Sequence, residues 1–329
     1  MENGHSAAIR EGRSGEDLRK MPTPLVTIVI PVHNRLDLLR RAIASVCAQT
    51  TDSWELIVVD DGSDVDVGAS LSDIADPRIR TIRLDTNRGA PTARNMGAAR
   101  ARGRFVTFLD SDDELRPDFL VSQLDALGGL EKAVLCGFTE KSGDTLTSQV
   151  PPARRITFDQ LILGPQSWIT TGQLMVGTDL ARSVGFDASL AAYQDWDFLV
   201  RLARAIPIIA NADILLVKHE HARERIYAGS RKHRALLAVA RKHARDIASQ
   251  PEVARSWNRK VALAQWQLGD FPAARTTLLQ AHREDPKDRR VQRLALASRL
   301  GPVVFGAYLW TSFQLRRVRK VGSSWSLHL

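Results

Sequence analysis

The sequence predicts an α/β fold, in which a mainly parallel sheet is flanked by helices and followed by an α-helical C-terminal extension. From residue 25 onward, short apolar runs typical of strands alternate with segments of helical periodicity. Polar clusters follow three of those runs. The charge also changes sign, because residues 1–217 carry a net charge of −6 and residues 218–329 one of +15. This change indicates a boundary near residue 218.

Composition sets the protein class. The chain has 329 residues, of which 44% are hydrophobic and 25% charged, as is usual for a globular protein. Residues 1–22 are polar and lack the apolar stretch of a signal peptide, so we expect a disordered tail. The longest apolar run, residues 302–310, is too short to span a bilayer. Cys47 and Cys136 lie in apolar surroundings, which predicts buried free thiols and a cytoplasmic protein.

The first strand and helix are predicted between residues 25 and 46. "LVTIVIPV" is a β-branched run typical of a strand buried on both faces. Asn34 then occupies the position of a helix N-cap, with Asp37 three residues later. The residues that follow at helical spacing are Leu36, Leu39, Ile43 and Val46.

Three more strands and a second helix are predicted before residue 110. The strands are "WELIVV", "RIRTIRL" and "RFVTFL", and "APTARNMGAARAR" is a small-residue helix with Pro91 in its first turn. The polar clusters "PVHN", "DDGSD" and "DSDDE" fall at strand ends. Because ligands of such sheets bind beyond the carboxyl ends of the strands, we expect the three clusters to line one crevice.

Each cluster taken alone fits a simpler explanation. "DDGS" after a strand is equally typical of a solvated turn, and an acidic run at a strand end is more often a solvated loop than a metal site. The functional interpretation depends on the order and spacing of the clusters, which all fall within about ninety residues.

These motifs resemble family-2 glycosyltransferases of the GT-A fold. The similar segments are "TIVIPVHNRLDLLRRAIASVCAQT", "ELIVVDDGSD", "NRGAPTARNMGAARARGRFVTFLDSDDELRPDFL" and "VGFDASLAAYQDWDFLVRLA". The resemblance implies a glycosyltransferase domain over residues 23–220, with a nucleotide-binding half at 23–115 and an acceptor half at 116–220. It also implies inverting, metal-dependent transfer from a nucleoside diphosphate sugar to a hydroxyl of a glycan or lipid-linked acceptor, in polysaccharide or surface glycan assembly.

The resemblance assigns the donor-binding residues. Pro31 and His33 would lie beside the nucleotide base, and the His33 ring could stack on it where the family often has Tyr. Asp61 would accept hydrogen bonds from the base, and Arg94 would lie near the base or the diphosphate.

The DxD motif of the family corresponds to Asp110-Ser111-Asp112. Asp110 would face the ribose or the metal, and Asp112 would bind the divalent cation that bridges the two phosphates. Mg²⁺ or Mn²⁺ is the expected cofactor, since hard cations prefer oxygen ligands.

The resemblance gives Asp195 the role of general base, which removes the proton from the acceptor hydroxyl. Gln194 stands where the family usually has Glu, a departure that we interpret as tuning rather than loss of function. The simpler explanation is that Asp195 only caps a helix. Asp197, two residues on, is expected to be a surface or structural residue.

His219 and His221 flank a glutamate after a strand-like run. A zinc site is disfavoured, because residues at i and i+2 do not share a helix face and no third ligand is evident. One of the two histidines would instead contact the diphosphate or the metal.

Residues 221–329 are predicted to form a basic helical extension. "QWQLGDFPAARTTLLQAHREDP" resembles one tetratricopeptide unit, which cannot bury its own faces. The last segment combines aromatic residues with cations and predicts peripheral attachment to the anionic inner face of a membrane, with a helix that packs on the core as the alternative. These residues are Phe305, Tyr308, Trp310, Phe313, Arg316, Arg317, Arg319 and Lys320. No nucleic-acid motif is present in the sequence.

Two other classes of function remain open. A non-catalytic nucleotide-sugar-binding or scaffold protein with a helical interaction tail is favoured by Gln194. A nucleotidyltransferase is less well supported, because no Gly-rich loop with Lys or Arg follows the first strand.

Overall fold

The computed structural model describes residues 10–11, 23–129, 132–219 and 228–308. The chain forms two compact units, which divide between Arg225 and Ile226.

The first unit is built on a mixed sheet, in which eleven strands lie within the described residues. They are β1 (Arg10–Glu11), β2 (Val26–Val32), β3 (Trp54–Asp60), β4 (Ile79–Arg83), β5 (Phe105–Phe108), β6 (Glu114–Leu115), β7 (Ala133–Ser142), β8 (Thr145–Gln149), β9 (Arg155–Ile156), β10 (Leu174–Gly177) and β11 (Ile208–His219). The order is β1-β4-β3-β2-β5-β10-β7-β11-β6, with β8 beside β7 and β9 beside β11. Strands β4, β3, β2 and β5 are parallel, and β10 is antiparallel to both of its neighbours.

Helices flank this sheet, so the predicted fold class is confirmed. They are α1 (Leu36–Cys47), α2 (Val67–Ser70), α3 (Ala90–Arg100), α4 (Phe119–Leu127), α5 (Phe158–Ile162), α6 (Thr178–Val184) and α7 (Gln194–Ala205). Every residue of β2 and β3 is buried, as their apolar runs predict. Gly97 allows α3 to approach the sheet closely, because a Cβ there would lie 2.3 Å from Val29 Cγ1.

The predicted N-cap of the first helix is wrong. Arg35 precedes α1, and Asn34 instead adopts a left-handed conformation with φ of 54°. The Asn34 amide donates to Asp64 Oδ2 at 3.0 Å, and its Oδ1 accepts from the Asp64 backbone N–H at 2.8 Å. Asn34 therefore joins the loop after β2 to the loop after β3, which local sequence spacing does not reveal.

Three further predictions concern the N-terminal tail, the two cysteines and membrane-spanning helices. Within the predicted disordered tail, β1 pairs antiparallel with β4, and the other residues of 1–22 lie outside the described residues. Cys136 is buried as expected, but Cys47 is exposed at the end of α1, so its predicted burial is wrong. Among the described residues, no helix combines the length and apolarity that crossing a membrane requires.

The second unit is helical throughout its described part. Its helices are α8 (Ala228–Lys242), α9 (Ala244–Ser249), α10 (Pro251–Gln267), α11 (Phe271–Glu284) and α12 (Arg289–Arg299), and residues 302–308 are helical as well. Gly269, with φ of 83°, makes the tight turn between α10 and α11. Phe305 is fully buried, and the rings of Trp266 and Phe271 lie 5.9 and 6.0 Å from its ring.

Candidate active site

The loops after β2, β3 and β5 meet at the carboxyl edge of the parallel strands. Asp61 in the loop after β3 is almost fully buried. Its Oδ1 accepts from the Arg88 N–H at 2.8 Å, and its Oδ2 accepts from the Gly89 N–H at 2.7 Å. Each carboxylate oxygen has a second lone pair, so Asp61 can hold this loop and still accept a hydrogen bond from a ligand.

His33 extends from the loop after β2. Pro31, two residues earlier, is buried within the strand itself. His33 is half-buried, and its Nε2 lies 3.4 Å from the Asn34 amide nitrogen. Its Nδ1 is buried and has no hydrogen-bond partner among the described residues. A ligand group with hydrogen-bonding capacity would satisfy this nitrogen.

Both acids of the DxD motif are paired with arginines. Asp110 Oδ1 lies 2.5 Å from Nη2 of Arg94, and Asp112 Oδ2 lies 2.7 Å from Nη1 of Arg35. Arg41 donates to the backbone carbonyl of Asp112 at 2.7 Å. Arg94 is buried and joins α3 to the loop after β5, while Arg35 directly precedes α1 and Arg41 lies in its second turn.

The next two acids, Asp113 and Glu114, both contact His219 at the end of β11. The buried Asp113 accepts from the backbone N–H of His219 at 3.0 Å. Nε2 of His219 lies 2.7 Å from Glu114 Oε1, and Nε of Arg41 lies 3.2 Å from the same oxygen. Burial, followed by the charges of Asp110 and Asp112, raises the pKa of Asp113 well above 3.8. Arg35, Arg41 and Arg94 are the arginines in the ion pairs described for this loop, so its four acids outnumber them by one.

The acids of the DxD motif suit a divalent cation that takes only some of its ligands from the protein and the others from a bound phosphate and water. No group of three or more His, Cys, Asp or Glu side chains in the described part of the chain forms a closed metal site. Mg²⁺ in phosphate-binding sites is commonly held by one or two carboxylates, with phosphate oxygens and water completing the octahedron. Asp110 and Asp112 provide this number of ligands, and they are of the oxygen type that hard cations prefer.

Asp195 lies in the first turn of α7. The residue that precedes this helix, Tyr193, has φ of 63°, a left-handed conformation unfavourable for a bulky side chain. Burial raises the pKa of Asp195, the positive charge of Arg94 lowers it, and the negative charge of Asp110 raises it. The fold therefore brings Asp195 to the DxD loop, although 85 residues separate Asp195 from Asp110 in the sequence.

The other polar residues of α7 have structural contacts. Asp197 is fully buried and forms two contacts with Arg201, at 2.9 Å to Nε and 2.8 Å to Nη2. It is thus a structural residue, one of the two roles expected for it, and not a surface residue. The side chain of Gln194 donates to the Leu190 carbonyl at 2.7 Å. His219 contacts the acidic loop, whereas His221 lies outside the described residues.

Sequence reasoning missed the residues that position Arg94. The Arg94 guanidinium lies 5.4 Å from the centre of the Phe186 ring. Asn95 donates to the Phe186 carbonyl at 2.8 Å and accepts from its N–H at 2.7 Å. The Phe186 ring stacks on Phe198, with ring centres 4.3 Å apart. The only signal in the sequence was the presence of both segments among the family-like motifs.

Comparison with known proteins identifies the family. The sequence profile of glycosyl transferase family 2 matches residues 27–179, which include β2 to β5 and the DxD loop. Residues 27–179 of this chain therefore form a family-2 glycosyl transferase domain.

The relatives of this family-2 glycosyltransferase match only part of their own length. The succinoglycan biosynthesis protein ExoO of Rhizobium meliloti (strain 1021) is 46% identical over 108 residues, which cover 32% of this chain and 31% of ExoO. For the first three curated relatives that match, the aligned part covers between 31% and 57% of their length.

Solved structures share the fold of this family-2 glycosyltransferase. Staphylococcus aureus TarS 1–349 superposes with a TM-score of 0.63 and 16% identity, over 87% of this chain and 91% of TarS 1–349. The mannosyltransferase PcManGT from Pyrobaculum calidifontis, in complex with GDP-Man and Mn²⁺, gives 0.54 and 19%, over 90% and 93%. At these identities the likeness concerns the fold.

Proposed function

We propose that this protein transfers a sugar from a nucleoside diphosphate sugar to a hydroxyl acceptor, with inversion at C1 and with a divalent metal. The main support is that Asp110 and Asp195 both interact with the buried Arg94 at the carboxyl edge of the sheet. Asp110 forms an ion pair with Arg94, and the pKa of Asp195, which burial raises, is lowered by the charge of Arg94. This edge is where parallel sheets bind their ligands. The structural neighbour PcManGT was solved with a sugar nucleotide and Mn²⁺, which agrees with the proposed donor and cofactor.

The nucleotide is bound by the loops after β2 and β3. Nδ1 of His33, which has no partner among the described residues, forms a hydrogen bond with the base. Asp61 accepts a hydrogen bond from the base through the carboxylate lone pairs that Arg88 and Gly89 leave free. Pro31, buried in β2, fixes the direction in which the chain reaches His33. Arg94 has a buried Nε with no partner among the described residues, so it can donate to a phosphate oxygen and keep Asp110.

Asp112 and Asp110 would hold Mg²⁺ or Mn²⁺. The positive charge of the bound ion would offset the negative charge of the leaving diphosphate. Arg35 pairs with Asp112 at 2.7 Å and adds positive charge beside the site. His219 and Arg41 hold Glu114 beside the site, so His219 acts on the acidic loop through protein contacts.

Asp195 is the general base. Its carboxylate takes the proton of the acceptor hydroxyl as the hydroxyl oxygen bonds to C1, and the nucleoside diphosphate leaves from the opposite face with the electron pair of the broken bond. One displacement of this kind inverts the configuration at C1. Burial raises the pKa of Asp195, which makes it a stronger base than an exposed aspartate.

The acceptor is a glycan or a lipid-linked sugar of polysaccharide or surface glycan assembly. This assignment is supported by the name of ExoO, a succinoglycan biosynthesis protein. A lipid-linked acceptor places the protein at the cytoplasmic face of a membrane. The excess of 15 positive charges in residues 218–329 favours reversible attachment to an anionic leaflet there.

A binding protein without catalytic activity is the competing function. Gln194 supports it, because its amide replaces a carboxylate beside the proposed base and contacts only the Leu190 carbonyl among its described hydrogen bonds. Both functions predict donor binding, and only the enzyme predicts transfer or slow metal-dependent hydrolysis of the donor.

A screen of nucleoside diphosphate sugars, with and without a chelator, tests the proposal. Calorimetry should detect metal-dependent binding of one donor, and Asp112→Ala should abolish that dependence while the fold remains intact. Asp73→Ala is the matched control, since Asp73 is an exposed acid that pairs with Arg40 on α1 away from the DxD loop. Donor affinity that is unchanged by Asp112→Ala and by the chelator would rule out the DxD assignment. Binding without hydrolysis or transfer would favour the non-catalytic function.

A further inference from the structure

Helix α12 exposes two leucines that its own unit does not use. Leu296 and Leu300 are 60% and 64% exposed. Leu300 directly follows the last residue of α12 and lies one turn beyond Leu296 on the same side. The opposite side of α12 is buried through Val291, Ala295 and Ala297. The hydrophobic core of the helical unit is therefore formed without these two leucines. Single exposed apolar side chains are normal on a protein surface, so the two leucines are informative only together with the charges around them.

Arginines border the two leucines. Arg289, Arg293 and Arg299 are exposed at helical spacings that place them around the same side, and we name these five residues the α12 face. None of the three arginines forms an ion pair within the described part of the chain. Residues 289–329 contain eight Lys or Arg and no Asp or Glu. The α12 face thus presents apolar groups and unneutralised positive charge together.

The structure also removes a different anchor from consideration. Two of the aromatics expected to contact lipid are Phe305 and Tyr308. Phe305 is fully buried, so its predicted contact with lipid is wrong, and Tyr308 is half-buried against the same cluster. Trp310, Phe313 and the four following cations lie outside the described residues.

We infer that the α12 face binds an anionic lipid surface. This inference rests on the proposed membrane attachment and names the residues responsible for it. Arginines bind lipid phosphates, and the leucines enter the boundary between headgroups and acyl chains, as in other helices that lie on membranes. Charge complementarity favours this partner. The α12 face has exposed leucines, three arginines and no acid, so an anionic leaflet attracts it, whereas a second copy of the same face repels it.

Flotation of the full chain with vesicles of phosphatidylcholine, with and without phosphatidylserine, tests the inference. Each arginine near an anionic leaflet contributes about fivefold to binding, so Arg293→Gln with Arg299→Gln should weaken it by roughly 25-fold. Leu296→Ser with Leu300→Ser should weaken it by about tenfold or more. Binding of the wild type should require phosphatidylserine and decrease steeply with salt.

Matched variants control for charge and apolarity elsewhere. Arg275→Gln with Arg283→Gln removes the same charge from exposed positions on α11, and Leu146→Ser removes a leucine that is 65% exposed on β8. Both should float like the wild type. All altered side chains are exposed, so melting temperatures should stay unchanged. Donor binding and hydrolysis should persist in every α12 variant, which separates a failure here from a failure of the proposed function.

Three results would overturn the inference. The first is full flotation of the α12 variants together with loss of flotation when Arg316, Arg317, Arg319 and Lys320 become glutamine. The second is equal flotation on vesicles without phosphatidylserine. The third is no flotation of the wild type, with a dimer in solution that the leucine variant converts to a monomer, which would make the α12 face a contact between two copies.

Discussion

The amino and carboxyl edges of the same parallel strands both carry acids beside arginines, and the balance of charge differs between them. At the amino edge, the side chain of Glu55 is only 1% exposed. The Glu55 carboxylate accepts a hydrogen bond from Thr27 Oγ1 at 2.8 Å. It also accepts two from Arg102, one from the backbone N–H at 2.6 Å and one from Nε at 2.9 Å. Arg80 lies 3.5 Å from the same carboxylate. One buried acid here has two arginines and two other donors.

At the carboxyl edge the ratio is reversed. Asp110, Asp112, Asp113 and Glu114 fall within five positions, and the pKa of Asp113 is raised by burial and by its acidic neighbours. Asp110 and Asp112 are partly exposed, so a ligand can reach them. A fully compensated buried acid is a structural element, whereas an accessible and undercompensated acidic cluster is suited to binding a cation.

The largest expected effect is on catalysis. Asp195→Asn keeps the shape and the hydrogen bond to the Trp196 N–H, but it removes proton acceptance. Transfer should decrease by about 10²–10⁴-fold while donor affinity persists. The measurement is kcat with a saturating donor, beside calorimetry of donor binding. A near wild-type rate would mean that Asp195 serves only as a structural residue at the start of α7.

The next effect concerns stability at the amino edge. Glu55→Gln leaves Arg102 and Arg80 without their buried carboxylate, which should lower the free energy of unfolding by about 3–5 kcal/mol. Urea denaturation measures this change. Asp52→Asn is the matched control, because the 2.7 Å pair of Asp52 with Arg78 is exposed on the Asp52 side and should contribute at most about 1 kcal/mol. Equal effects of the two variants would contradict the comparison between the edges.

The pH dependence of transfer gives a third test. The base acts when deprotonated, and burial raises the pKa of Asp195, so kcat/KM should rise with pH through a value above 3.8. Asp195→Asn should lack this limb. The raised pKa of Asp195 also makes the stability of the fold depend on pH. The stabilisation that comes from protonated Asp195 is fully present below pH 3.8 and is lost as the pH rises through the folded-state pKa. A limb at or below 3.8 would contradict the assignment.

The smallest expected effect is a gain in stability at the carboxyl edge. Asp113→Asn removes one charge from the crowded loop, and the asparagine oxygen can still accept from the His219 N–H. The free energy of unfolding, measured with a chelator present, should rise by about 1 kcal/mol. A decrease would show that the negative charge of Asp113 is compensated as well as that of Glu55.

The sequence alone predicted strands β2 to β5 and helices α1 and α3 of the first unit, and it indicated the family. Buried strands such as β2 and β3 have continuous apolar runs, and α3 has small residues, because burial and close packing select residues locally. The spacing of the DxD acids and of Asp195 follows from motifs that each lie within one segment. These patterns need no knowledge of distant contacts.

The tertiary structure decided which arginine pairs with which acid and which apolar residues are buried. Three arginines at the start of α1 or just before it were equally eligible partners for the acidic loop. The fold pairs Arg35 with Asp112 and Arg40 with Asp73, while Arg41 contacts Glu114. Phe305 is buried and Leu300 exposed, although both are apolar residues of one segment. Ion pairs and burial depend on side chains that approach from distant parts of the chain, and sequence periodicity carries no information about those approaches.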